Sequence, residues 1–176
     1  LTGQKAKLLI VALVAAALGT ALLAACGSSG GSSGGGSDQF RDKTHSPLLD
    51  FGEESSEGEM EEAAEAVSSF LSARSQEDWP ATCAQLSSAL LAKIEHLAIS
   101  STDLEDKSCP SFLEAFLSVS AQERRQNTEI DGGSLRQKGT RGFLIYLGAR
   151  ENVYAMPLSK EDGAWKVDSL SSKLLD

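Results

Sequence analysis

The chain has 176 residues, 25 of them Asp or Glu and 16 Lys or Arg, for a formal net charge of -9. That length suits one domain with additional segments, and the acidity excludes a polyanion-binding surface and with it nucleic acid as a partner. The overall composition, 41% apolar and 23% charged, is that of an ordinary globular domain. The average conceals three unlike parts: an apolar head, a Gly/Ser neck with an acidic collar, and a patterned body.

In the head, Lys5 and Lys7 precede an apolar run from Leu8 to Ala25, broken only by Gly19 and Thr20. Basic residues ahead of an apolar stretch suit export, as signal peptide or as uncleaved anchor. The run falls short of the roughly 20 residues that span a hydrocarbon core. Its end, Leu23-Ala24-Ala25-Cys26, resembles a bacterial lipobox. The resemblance implies a lipoprotein signal peptide over residues 1–25, cleavage before Cys26, a diacylglyceryl group on the Cys26 thiol and palmitate or a similar chain on the new amino terminus. Two or more acyl chains make such attachment persistent. The expected location is the cell membrane, lipid-anchored and facing the extracytoplasmic side. An uncleaved helix and a freely secreted product are the alternatives.

Gly27 to Ser37 contains only Gly and Ser, a composition that cannot offset the entropy of ordering. The collar that follows carries eight acids and no Lys or Arg between Asp50 and Glu65. Its spacing lacks the alternating ligands of an EF-hand. Residues 26–58 are therefore expected to form a flexible linker, with His45 a solvated residue within it. From Ala66 onward the charges nearly balance.

In the body, Met60, Ala63, Ala64, Val67, Phe70 and Leu71 recur on one helical face, predicting a first helix over 57–75. Asp78-Trp79-Pro80 combines a cap with an early proline, and predicts a second helix running on through Cys83, Leu86, Leu90, Ile94 and Leu97. Ser108-Cys109-Pro110 opens a third in the same way. After Asn127 short β-branched and aromatic runs alternate with glycine and charged turns. They predict strands near 128–135, 141–149, 152–159 and 164–169, the last hairpin turning at Asp162-Gly163. The expected fold class is α+β, three N-terminal helices on one face of a curved antiparallel sheet of about four strands.

The "DWPATCAQLS" helix start, a later helix opened by cysteine and the closing "PLSKEDGAWKVDSL" hairpin, anchored by Trp79 and Trp165, resemble the nuclear transport factor 2-like α+β cone. The version resembled is that of small exported actinobacterial lipoproteins, and it covers residues 59–176. The fold hosts isomerases, dehydratases and binding modules alike, so it does not fix a function.

With Cys26 assigned to lipid, Cys83 and Cys109 remain as an even pair in an exported chain, and a disulfide is expected between them. Two buried free thiols are the alternative. No CxxC or paired-His spacing points to a metal, and His96 reads as a helix-surface residue. Gly-x-Ser-x-Gly, Gly-x-Gly-x-x-Gly and P-loop motifs are absent, so neither a nucleophile elbow nor a nucleotide cofactor is expected. Tyr146, Tyr154, Glu129 and Asp131 could stand where cone isomerases keep an acid and a tyrosine, but no motif transfers onto them, and they read as sheet residues. The expectation is a non-enzymatic, membrane-tethered module that binds a small apolar ligand or an envelope protein. An isomerase or dehydratase and a purely structural spacer are the alternatives.

Overall fold

The structure, a computed structural model, describes residues 36–102, 104–117 and 130–175. The longest helix among the described residues, α1 (Glu57–Ser75), begins where Ser56 Oγ accepts from the Glu59 N–H and has Glu57 and Glu59 in its first turn. Carboxylates there suit the helix dipole. Its buried face is Ala63, Val67, Phe70 and Leu71, the face the spacing predicts.

Where the sequence predicts one second helix, there are two. Helix α2 (Trp79–Ala84) starts on the Asp78 cap with Pro80 in its first turn. The chain then breaks at Leu86, which forms a parallel bridge to Val167. The Ser87 N–H donates to the Val167 carbonyl at 2.8 Å, and the Val167 N–H to the Gln85 carbonyl at 2.9 Å. Ser87 then caps α3 (Ser88–Ser100). Its hydroxyl also donates to Asp168 at 2.5 Å. Apolar periodicity passes through this break unchanged, whereas backbone pairing with a distant strand outweighs helical continuity. Helix α4 (Cys109–Phe116) begins on the expected Ser108 cap. Among the described residues, four α-helices therefore stand where three are expected.

The strands are β1 (Glu53–Glu54), β2 (Asp131–Lys138), β3 (Arg141–Leu147), β4 (Val153–Glu161), β5 (Ala164–Val167) and β6 (Lys173–Leu174). They pair antiparallel in the order β1-β2-β3-β4-β5, with β6 on β4. Among the described residues the sheet thus has six strands, not about four, because two-residue strands carry no readable alternation. Asp162 and Gly163 both have positive φ, 50° and 86°, as the tight hairpin turn requires.

Both faces of the sheet are covered. On one, Leu135, Leu144, Met156, Leu158, Trp165 and Val167 pack against Val67, Phe70 and Leu71 of α1, Ile94 of α3 and Leu113 of α4. Cys83 of α2 and Cys109 of α4 meet in this core with sulfurs 2.02 Å apart and Cα atoms 6.3 Å apart, consistent with the expected disulfide. At the sheet's rim Lys160 pairs with Glu59 and stands over the Trp165 ring, 5.4 Å from its centroid.

On the opposite face, residues 36–58 depart from the expectation of a flexible linker over 26–58, of which 26–35 lie outside the described residues. Residues 36–52 form a strap of two short 3-10 helices, Ser37–Phe40 and Pro47–Asp50. Phe40 and Leu49 are buried against Ile145, Val153, Ala155 and Leu175, and Phe51 meets Phe143 edge to face at 4.9 Å. Glu54 fastens the end of the strap: its carboxylate accepts from Ser134 at 2.6 Å, Arg136 at 3.0 Å and the Ser37 N–H at 3.2 Å. Arg136 also donates to the Phe51 and Gly52 carbonyls. Burial alone would raise the Glu54 carboxyl, but these hydrogen bonds together hold it below the ordinary value. His45 lies exposed in the strap. Alternating side chains leave Ile145, Val153 and Ala155 apolar and facing away from the helices, so the strap removes from water a surface that the sheet cannot otherwise bury.

Candidate functional site

The sheet register sets Tyr146 of β3 directly opposite Tyr154 of β4, with ring centroids 5.8 Å apart and 27° between planes. Both side chains belong to the helix-facing side. Over them stands the end of α1, which contributes Leu71 and Arg74. The third wall arises from strand pairing. One part of β4, Leu158–Glu161, pairs with β5, and another, Tyr154–Ala155, pairs with β6. The chain between those two strands brings Ser171 and Ser172 to the tyrosines. A pocket of about 70 Å³ results, lined by these six side chains and Gly148.

Tyr146 Oη and Ser172 Oγ are 2.5 Å apart. Arg74 Nη1 donates to the Leu170 carbonyl at 2.8 Å, which ties α1 to the C-terminal segment. Burial pushes the Tyr146 hydroxyl up from its ordinary value, against the opposing pull of the Ser172 hydrogen bond and the Arg74 charge. Tyr146 therefore stays protonated at neutral pH. Gly148 is required by space: a Cβ there would lie 2.8 Å from Cδ2 and Cε2 of Tyr154, closer than carbon atoms pack.

This lining holds hydroxyls, aromatic rings and a guanidinium, and among the described lining residues no carboxylate, imidazole or thiol. General acid–base chemistry at neutral pH asks for a group titrating near 7; protonated tyrosine and arginine can bind and orient. Of the four residues weighed for a cone active site, the structure brings Tyr146 and Tyr154 together. Asp131 opens β2 opposite Leu147, and Glu129 lies outside the described residues, as do Cys26 and residues 1–25, where a signal peptide is expected. His96 is exposed on α3, and Trp79 and Trp165 pack in or against the core. Arg74, Gly148, Ser171 and Ser172 are absent from the sequence-based expectations. Nearly a hundred residues separate Arg74 from Ser171, and no local pattern links them.

Among the described residues, no group of three or more His, Cys, Asp or Glu side chains is placed to hold a metal ion. Nor is any helix among them long and apolar enough to cross a membrane. The chain matches no family model, no curated protein and no solved structure.

Proposed function

We propose that the chain is a lipid-anchored, extracytoplasmic module of the cell envelope that binds a group of a ligand or partner in the Tyr146–Tyr154 pocket and performs no chemistry on it. The observation that carries this reading is the pocket's inventory: hydroxyls and a guanidinium around two aromatic rings. Such a set fixes and orients a polar group, as binding sites do with a few convergent polar atoms. An isomerase would need a carboxylate or imidazole beside the tyrosines.

The interior between α1 and the sheet is occupied by Val67, Phe70, Leu135, Leu144 and Met156, each nearly or fully buried. A bulky apolar ligand would have to displace packed side chains, so the occupant enters only as far as the tyrosines. The same filling favours a second reading, a spacer whose fold serves only to hold its own shape. Anchoring is supported by Cys26 at the end of the apolar run and by the Cys83–Cys109 pair, which suits an oxidising compartment.

A photo-crosslinking residue at position 171, in intact cells, tests binding against spacing. The binding module gives a discrete adduct from Ser171 and none from Glu62, exposed on α1. Equal adducts from both positions, or none from either, would leave the spacer reading.

A further inference from the structure

We infer that the group this pocket accepts is a terminal acetamido group, a methyl, a carbonyl and an N–H in one plane, carried by an amino sugar or by an acetylated amine. The inference rests on the pocket-binding function proposed above and adds the chemical class of the occupant.

The lining is graded from inside to outside. Leu71 and Tyr146, 4% and 2% exposed, form the inner wall. Tyr154 and Ser172 are half-buried, and Ser171 is exposed at the mouth. Arg74 is engaged by the Leu170 carbonyl, which leaves recognition to the hydroxyls. The Tyr146 and Ser172 hydroxyls, 2.5 Å apart, carry two protons but form one bond between them. For Ser172 the structure also offers the Met156 sulfur at 4.0 Å, a weak partner. An acceptor oxygen at the inner wall would therefore receive a proton from this pair. Nearer the mouth, the hydroxyl oxygens of Tyr154 and Ser171 can accept as well as donate, so a donor is met there too.

An acceptor at the inner wall with a donor beside it on the mouth side describes an amide. A carboxylate or an ester has the acceptor without the donor, and an alcohol puts both on one atom. Shape agrees. The tyrosine rings, with centroids 5.8 Å apart and 27° between planes, do not admit a flat group between them, which needs about 7 Å. An amide instead lies along the pair, with its methyl against Leu71. The volume of about 70 Å³ suits a group of a few heavy atoms, so the amide is terminal; one inside a peptide chain would bring a substituted carbon to the inner wall.

The test is titration of the 15N-labelled full chain in detergent micelles, followed at the Gly148, Ser171 and Ser172 amides. The probes are N-methylacetamide, methyl acetate, acetate, N-acetylglucosamine and Nε-acetyl-lysine. Losing one neutral hydrogen bond weakens binding by roughly fivefold, so N-methylacetamide should saturate these amides at a concentration lower by that factor than methyl acetate or acetate. Tyr154→Phe combined with Ser171→Ala removes both acceptors for the N–H and should erase the preference; the ranking of probes on the parent chain stands by itself if that variant does not fold. Tighter binding of N-acetylglucosamine than of Nε-acetyl-lysine would identify an amino sugar, and the reverse an acetylated amine. Methyl acetate or acetate saturating as readily as N-methylacetamide, or a preference that survives the double substitution, would overturn the acetamido class. No saturable shift with any probe, alongside a Ser171 crosslink in cells, would overturn it too while leaving pocket binding intact; without that crosslink, pocket binding falls as well.

Discussion

Reducing the Cys83–Cys109 bridge should lower the stability of the folded body by an amount that its loop length sets. The two cysteines are 26 residues apart, for which the chain-entropy relation gives about 3.5 kcal/mol. In a body of this size that corresponds to a fall in Tm of roughly 10 to 15 °C. The bridge joins α2, six residues long, to α4, eight residues long, and neither would persist as an isolated helix. Loss should therefore begin there, with α2 and α4 amides exchanging before those of β3 and β4. Calorimetry with and without reductant, with thiol titration of the denatured and unreduced protein, measures both quantities. Two free thiols before reduction, or a Tm that reductant leaves unchanged, would refute the reasoning.

The strap and the pocket yield further expectations. Phe40→Ala and Leu49→Ala should each destabilise the protein by about 2 to 5 kcal/mol, as large-to-small changes in a core do, while Asp42→Ala should change nothing measurable; urea denaturation tells a packed strap from a loose linker. Gly148→Ala leaves a backbone φ of -110° unstrained but drives a methyl into Tyr154, so it should cost about 1 to 3 kcal/mol by overpacking, read as a lower urea midpoint. Unchanged stability would show that the Tyr154 ring is not held where the structure has it. Glu54 has a carboxyl lowered in the folded state, so its contribution is present above the ordinary Glu value, about 4.3, and is lost as pH falls through the lower folded value. Glu54→Gln should be less stable than the parent at neutral pH and equal to it once the parent's carboxyl is protonated. A difference in urea midpoint that persists in acid would contradict the clamp.

Helix α1 was legible because its apolar residues keep a 3.6-residue period, and α4 because Ser108 and Pro110 mark its start. The Asp162-Gly163 hairpin announced itself through a residue pair suited to positive φ. The break at Leu86 was not legible, since its cause is a hydrogen-bonded partner, Val167, eighty residues away. The strap was hidden for a different reason: Phe40, Leu49 and Phe51 follow no period and stand among acids, so they read as linker, although three large apolar residues in so short a stretch were a usable sign of burial. The pocket divides the same way. Tyr146 and Tyr154 could be noticed in neighbouring strands, whereas Arg74, Ser171 and Ser172 join them only through the way β5 and β6 divide the edge of β4.

The proposed location, the oxidising surroundings of Cys83 and Cys109 and the nature of any partner all depend on the fate of Cys26. Intact mass analysis of the mature protein, extracted from cell membranes, measures that fate directly. The expected species begins at Cys26 and carries the added mass of a diacylglyceryl group with or without a third acyl chain. A polypeptide that retains Leu8 to Ala25 and has no added mass would contradict the account.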